Sequence, residues 1–148
     1  MPRPSTEVAD ATRAMLDADA ASASLGIDVT SARDGCAAAR MRVTEGMVNG
    51  HGIAHGGFLF LLADTAFAAA CNSHGPVTVA AGAEISFVAS ARLGDELAAA
   101  AQERTRYGRN GIYDVTVRRR SPQGEEVVAE FRGRSRTVGR SSTEESPA

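Results

Sequence analysis

Gly56-Gly57-Phe58-Leu59-Phe60-Leu61-Leu62-Ala63-Asp64-Thr65-Ala66-Phe67-Ala68-Ala69-Ala70-Cys71 is the stretch whose character settles the fold. From Phe58 onward it consists largely of good helix formers and is apolar all round, which predicts a buried central helix. Its short length, and Asp64 in its middle, argue against a membrane span. Asn72, His74, Gly75 and Pro76 stop it. In front of it lies a glycine-rich loop, Asn49-Gly50-His51-Gly52-Ile53-Ala54-His55-Gly56-Gly57.

Upstream, residues 5–24 predict one helix, capped by Ser5 or Thr6, with Val8, Ala11, Met15 and Leu16 on one face. Residues 26–33 and 35–43 predict two short strands joined by an Asp34-Gly35 turn. Downstream, residues 77–90, 95–106, 112–120 and 126–138 fit antiparallel strands, with Pro122 and Gly124 placed for a turn. Residues 96–103 are ambiguous, because their alanines favour helix in isolation. Residues 139–148 are rich in Ser, Thr and Glu and are expected to be a disordered tail, leaving residues 1–138 as a single domain. One long apolar helix followed by a strand series implies an α+β fold whose sheet curls around the helix.

The chain has 148 residues and a formal net charge of −2, which suits one domain with an ordinary core. All 16 basic residues are Arg. The absence of lysine excludes a Walker A phosphate loop, Schiff-base chemistry and an internal pyridoxal-phosphate linkage. Two cysteines, Cys36 and Cys71, make neither a disulfide framework nor a zinc ribbon, and each is expected to act as a small hydrophobe. Residues 1–6 lack the apolar stretch of a secretory signal, so a reduced, cytoplasmic protein is expected. The near-balanced charge makes no case for nucleic acid or membrane as partner, and 5% aromatics argue against a base-stacking platform.

Asp64 is the sharpest chemical feature. A Leu there would serve the fold better, because burying one contributes about 1.5–3 kcal/mol. An unpaired buried carboxylate instead costs several kcal/mol. Either Asp64 is tied to an Arg or a backbone amide, or it works. Gly56-Gly57 offers the second feature: amides at a helix start carry the positive end of its dipole and can polarise a carbonyl, although a glycine pair can also be an ordinary tight turn. Gly57 and Asp64 lie seven residues apart, or about 10 Å along one helix. One reacting carbonyl cannot readily touch both. If they cooperate, Asp64 comes from a second copy, and the site lies between the subunits of a two-fold homodimer.

His51 and His55 have the i, i+4 spacing of zinc ligands, but glycines surround them and Gly52 replaces the glutamate of HExxH, so no metal is expected. His55 reads as a polar contact beside Gly56-Gly57 or as turn packing, and Asn49 as an orienting group or a turn residue. Arg118, Arg119, Arg120, Arg132, Arg134 and Arg136 read either as solvated strand faces or as contacts to a phosphate-bearing ligand.

The run from Asn49 to Phe67, continuing to Ala70-Cys71-Asn72-Ser73, closely resembles the phenylacetate-degradation (PaaI-type) thioesterases, which are hotdog-fold acyl-coenzyme A thioesterases. The likeness extends to Leu25-Gly26-Ile27, Gly111-Ile112-Tyr113-Asp114-Val115 and Phe131-Arg132-Gly133. It implies a five-stranded antiparallel sheet wrapped around the helix, dimers and commonly tetramers, and hydrolysis of aryl- or (hydroxy)phenylacetyl-coenzyme A to the free acid. No cofactor is implied beyond the coenzyme A that the substrate carries. By the same resemblance Asp64 supplies the catalytic carboxylate, Gly57 offers its N–H to the thioester carbonyl, and Asn49 and His55 sit beside them across the dimer interface. Substrate and coenzyme A contacts fall to Gly56, Phe58, Thr65, Phe87, Val88, Arg109 and Asn110. The strand Ala83-Glu84-Ile85-Ser86-Phe87-Val88 departs from the family pattern, with Ser86 where Asp is common and Ala89-Ser90 for a usual Arg-Pro. Two rivals stand beside this reading. One is a hotdog enoyl-coenzyme A hydratase or dehydratase. The other is a non-catalytic acyl-coenzyme A sensor, which Asp64 disfavours.

Overall fold

The computed structural model describes residues 7–122 and 124–141. Two short helices, α1 (Asp10–Asp17) and α2 (Ala20–Ser24), stand where one helix over residues 5–24 is predicted. The chain before α1 is held extended instead: Ala9 N–H donates to Ala32 O at 2.8 Å and Ala32 N–H to Glu7 O at 3.0 Å. This pairing delays the helix start to Asp10, and the predicted caps Ser5 and Thr6 lie outside the described residues. A new cap then divides the segment, as Asp19 Oδ1 accepts the Ser22 N–H at 3.0 Å and starts α2.

Strands β1 (Asp28–Arg33) and β2 (Cys36–Arg42) form the expected hairpin. Asp34 and Gly35 both take positive φ, 53° and 81°, as a two-residue turn of this hand requires. A single 3₁₀ turn at Glu45–Met47 and the glycine loop lead into α3 (Gly56–Asn72). Strands β3 (Pro76–Phe87), β4 (Glu96–Tyr107), β5 (Asn110–Ser121) and β6 (Gly124–Ser141) follow. All pairings are antiparallel, in a six-stranded sheet of order β1-β2-β4-β5-β6-β3. The family resemblance implies five strands; the β1–β2 hairpin brings the count to the six that the sequence segments predict. Strand β6 also corrects the tail boundary at residue 139. Its register with β3 carries on to Ser141, opposite Pro76, and residues 142–148 lie outside the described residues.

The alanine run of β4 shows tertiary context overriding propensity. Helix preference is worth only tenths of a kcal/mol per residue. Here Ala98, Ala99, Ala100 and Ala101 pair with β2 on one side and β5 on the other. Leu97, Ala99 and Ala101 point into the core, and small side chains there let α3 lie close. Phe67 of α3 is the anchor, with its ring centroid 5.5 Å from Tyr113 and 5.8 Å from Phe131. A Cβ at Gly133 would lie 2.7 Å from the Phe67 ring. Gly133→Ala is therefore expected to destabilise the protein by about 1–3 kcal/mol through overpacking. Urea unfolding should show a lower midpoint at unchanged slope, and an unmoved midpoint would count against this packing.

The sheet covers α3 incompletely, which corrects the expectation of burial all round. Leu59, Leu62, Ala63, Ala66, Phe67, Ala69 and Ala70 are buried. Gly57 is exposed, however, and Phe60, Leu61, Asp64 and Ala68 are only half-buried. At 3.6 residues per turn, positions 57, 61, 64 and 68 form one stripe along the helix. Strand β3 is an edge of the same sheet, and Val79, Phe87 and Val88 at or beside it are 45%, 56% and 59% exposed. Among the described residues no helix is long and apolar enough to cross a membrane.

Candidate active site

Asp64 sits on the uncovered stripe of α3, half-buried among Leu61, Phe60 and Ala68. Among the described residues its carboxylate has no hydrogen bond and no ion pair, so it is not tied to an Arg or to an amide. Burial pushes its carboxyl above the ordinary carboxylate range, and the negative charge of Asp19 pushes it the same way. A carboxylate kept unpartnered on a helix that would rather bury a Leu is a group held for chemistry.

Its neighbour Thr65 is placed otherwise than the substrate-contact assignment expects. Thr65 is 4% exposed, and its Oγ1 lies 2.8 Å from Ser22 Oγ. Ser22 Oγ in turn donates to Asp19 Oδ2 at 2.6 Å. The Thr65 hydroxyl thus fastens α2 to α3, because the 65 position faces away from the stripe that carries 57, 61 and 64.

The start of α3 is open. His55 is its N-cap residue without a side-chain cap. Phe58 N–H donates to His55 O at 3.1 Å, while the N–H groups of Gly56 and Gly57 meet no acceptor among the described residues. These are the orphan donors of a helix N-terminus, aimed where the dipole favours negative charge. The loop that presents them is pinned at several points. His55 N–H donates to Met47 O and Ala54 N–H to Ala91 O, both at 2.9 Å. Asn49 Oδ1 accepts from His51 N–H at 2.9 Å and Ile53 N–H at 3.1 Å. Its oxygen therefore does turn work, while its Nδ2 has no acceptor among the described residues. The His55 ring is exposed and makes no side-chain hydrogen bond.

Phe87 reaches the same place from the end of β3. A Cβ on Gly56 would lie 2.5 Å from Phe87 Cζ, so only glycine lets this ring rest over the helix start. Phe58 is half-buried against the core, and Val88 is exposed with its N–H on Val128 O at 2.8 Å. One chain therefore gathers Asn49, His55, Gly56, Gly57 and Phe87 at the α3 N-terminus, with Asp64 about 10 Å along the same face. Arg109 and Asn110 are not with them. They line a cavity with Cys71 and His74 at the other end of α3, and Cys71 is about 21 Å along the helix from Gly57.

Other expectations divide. Arg132 forks onto Asp114 at 2.6 and 2.9 Å, Arg134 meets Glu84 at 2.7 Å, and Arg119 meets Glu126 at 2.6 Å. These three are cross-strand ion pairs, which removes them as phosphate contacts. Cys71 is buried and its thiol is pushed up to about 12, first by burial, so it is inert at neutral pH. Cys36 is exposed, contrary to the expectation of a small core hydrophobe. His74, just past the end of α3, lies 2.8 Å from Glu103 Oε1. No group of residues that could hold a metal ion occurs among the described residues. Sequence reasoning missed Asp19 and Leu61 as surroundings of Asp64. The 57, 61, 64, 68 spacing could have signalled Leu61, but the break between α1 and α2 that brings Asp19 near α3 was not read from the local sequence.

The family model described as the thioesterase superfamily matches residues 51–126. The acyl-coenzyme A thioesterase PaaI of Escherichia coli K12 is 45% identical over 126 residues, which cover 85% of this chain and 88% of that protein. A putative esterase of Deinococcus radiodurans is 41% identical over 110 residues, covering 74% and 73%. The solved structure of the E. coli PaaI protein from the phenylacetic acid degradation operon matches with a TM-score of 0.83 at 41% identity, over 91% of this chain and 99% of that one. A Streptococcus mutans protein bound to acetyl CoA matches with a TM-score of 0.71 at 25% identity, over 78% and 90%. With a half-buried free carboxylate and open helix-start amides on a sheet-wrapped helix, the chain belongs to the thioesterase superfamily and, within it, to the PaaI-type acyl-coenzyme A thioesterases.

Proposed function

We propose that the protein hydrolyses aryl- or (hydroxy)phenylacetyl-coenzyme A to the free acid and coenzyme A, as a cytoplasmic homo-oligomer whose sites lie between two chains. The observation that carries this reading is the uncovered stripe of α3. It holds the exposed Gly57 and the unpartnered Asp64 on one face, two turns apart. Two copies of that stripe packed about a two-fold axis bring Gly57 of one chain toward Asp64 of the other. The exposed edge strand β3, with Val79, Phe87 and Val88, supports the same pairing.

In this mechanism the Gly57 N–H polarises the thioester carbonyl, and removing one such donor typically costs 10²–10³-fold in rate. Asp64 of the second chain attacks the carbonyl carbon, or takes a proton from the water that does. The C–S bond breaks, the electron pair leaves as the coenzyme A thiolate, and water supplies the new carboxyl oxygen. A thiolate leaves readily, so no cofactor beyond the coenzyme A of the substrate is needed. His55 and the free Nδ2 of Asn49 position substrate and carboxylate from the loop. Gly56, Phe58, Phe87 and Val88 line the acyl end, with Phe87 as the aromatic contact for an aryl group. The relatives support the substrate class: one is an acyl-coenzyme A thioesterase, and another protein of this fold binds acetyl CoA.

Free-thiol release from phenylacetyl-coenzyme A, set beside benzoyl and short aliphatic thioesters, tests the proposal. Faster turnover of the aryl substrates is expected, and equal or faster turnover of aliphatic ones would remove the aryl assignment. Asp64 must be ionised to act. Because its carboxyl is raised above its ordinary 3.8, kcat/KM should fall as pH is lowered through a point above the usual carboxylate range. An acid limb at or below 3.8 would place the essential group elsewhere.

A further inference from the structure

Hydroxyl groups fasten both N-terminal helices to α3, and one of these fastenings ends on a carboxylate. The Thr12 hydroxyl of α1 donates to Ala69 O at 2.8 Å. The Thr65 hydroxyl of α3 lies 2.8 Å from Ser22 Oγ of α2. Thr12, Ser22 and Thr65 are all buried. Ser22 Oγ gives its one proton to Asp19 Oδ2 at 2.6 Å, so Thr65 is the donor to Ser22. We propose that Asp19 is a positioning residue for thioester hydrolysis: Ser22 and Thr65 clamp its carboxylate to α3, so that a fixed negative charge stands beside Asp64. The proposal rests on the reading of Asp64 as the working carboxylate.

The clamp determines where the charge lies. Thr65 follows Asp64 in the chain, and Asp19 is two hydrogen bonds from Thr65. The attachment points at 65 and 69 are one turn apart on a single face of α3. Neither short helix can swing away without breaking a bond made by a buried hydroxyl. Asp19 is also held by its own helix, because its Oδ1 accepts the Ser22 N–H at 3.0 Å as the cap of α2.

The two carboxylates are furnished differently. Both oxygens of Asp19 accept a hydrogen bond, which is how an ionised carboxylate bonds. Asp64 has no donor among the described residues. Where two such groups share a neighbourhood, the proton goes to the one whose charge no donor supports. The Asp64 carboxyl is accordingly held above its ordinary 3.8, first by burial and then by the charge of Asp19. A carboxylate that binds its proton more firmly is also the better proton acceptor from water.

Among the described residues Asp19 is the charged group that acts on Asp64. Arg13 of α1 and Asp28 of β1 line a cavity of 160 Å³ with Asp19, and Arg13 forms no ion pair with it among the described residues. Cys71, two turns further along α3, keeps its proton, since burial first of all pushes its thiol up to about 12. From the sheet, Glu103 accepts from the Tyr113 hydroxyl at 2.9 Å and lies 2.8 Å from His74, at the opposite end of α3.

Carbon-13 NMR of the Asp64 carboxyl through an acid titration of the full chain reads the effect without turnover. The acid limb of kcat/KM for phenylacetyl-coenzyme A reads it in the reaction. Asp19→Asn removes the charge and keeps the α2 cap, because Asn caps as well as Asp. It should move the Asp64 titration and the acid limb together toward lower pH, and lower the plateau kcat several-fold, as a weaker base would. Thr65→Val cuts the clamp and leaves the charge, so both midpoints should move the same way by less. Thr65→Ser should restore them. A merely structural role for Asp19 would lower stability and leave both midpoints in place. An Asp64 titration unmoved by Asp19→Asn therefore overturns the proposal, whatever the activity. A titration that moves while the acid limb stays would show that Asp64 is not the essential group, which overturns that reading and the role of Asp19 in hydrolysis with it. Should Asp19→Asn fold poorly, Ser22→Ala cuts the same chain and keeps the capping N–H, and the same two midpoints decide.

Discussion

Asp64→Asn should lower the rate of thioester hydrolysis by about 10²–10⁴-fold, the range that loss of a positioned acid–base group usually takes away. The same variant should be more stable than wild type at neutral pH. The two effects share one cause. The carboxyl is raised above its ordinary 3.8 by burial and by the neighbouring charge of Asp19. Between the ordinary value and the raised one, the folded protein holds a proton that the unfolded chain has released. Stability therefore falls as pH rises through that window, and the penalty persists at pH 7. Asparagine is of similar size and carries no charge, so it removes the penalty where Asp64 is ionised and gains nothing where both states are protonated. Thermal unfolding of both proteins at pH 7 and below pH 3.8 reads this directly: the Tm advantage of Asp64→Asn should be present at the first and absent at the second. Unchanged turnover would take the carboxylate out of the chemistry. A loss of stability at pH 7 would mean that Asp64 holds the fold through a partner.

Mixing two inactive variants should restore activity. Gly57→Pro removes the N–H proposed to polarise the carbonyl. Gly57 lies in the first turn of α3 and that N–H makes no bond within the helix, so proline is tolerated there. A Cβ at this position meets nothing within 4 Å. Asp64→Asn removes the carboxylate. Each variant alone is expected to be inactive, by at least about 10²-fold. If one site takes Gly57 from one chain and Asp64 from the other, a mixed dimer contains one intact site and one doubly damaged site. After co-refolding at equal amounts, half of the dimers are mixed, so activity should recover to about a quarter of wild type. Unchanged inactivity after verified exchange of chains would show that the two groups do not meet across an interface. It would leave about 10 Å of one helix between them.

Several parts of this molecule follow from local sequence alone. Asp34-Gly35 between two alternating segments specifies a hairpin, because few residue pairs accept positive φ at both turn positions. Tyr113, Val115 and Val117 alternate with polar residues and can only be a strand with one buried face. Phe58 to Cys71 contains no Gly or Pro and predicts one helix, which the structure extends by a residue or two at each end to Gly56–Asn72. The candidate carboxylate was readable for a related reason, since Asp64 is the one charge in that run and conflicts with everything around it.

Other features depend on what lies opposite in space. The alanines of β4 favour helix by tenths of a kcal/mol each and yield to two ladders of backbone hydrogen bonds. The N-terminal helix starts late because β1 claims Glu7 and Ala9, and it is divided where Asp19 caps a second helix. Arg119, Arg132 and Arg134 are removed from ligand binding by carboxylates on adjoining strands, and strand register alone sets such pairs. Arg109 and Asn110 stand at the far end of α3 because the β4–β5 turn delivers them there. The site itself belongs to both levels. That Gly57 and Asp64 lie two turns apart on one helix follows from their spacing of seven residues. That their common stripe stays open depends on the packing of the sheet against α3. A helix apolar on every side has no preferred face, and which face remains uncovered depends on how far the sheet wraps around it.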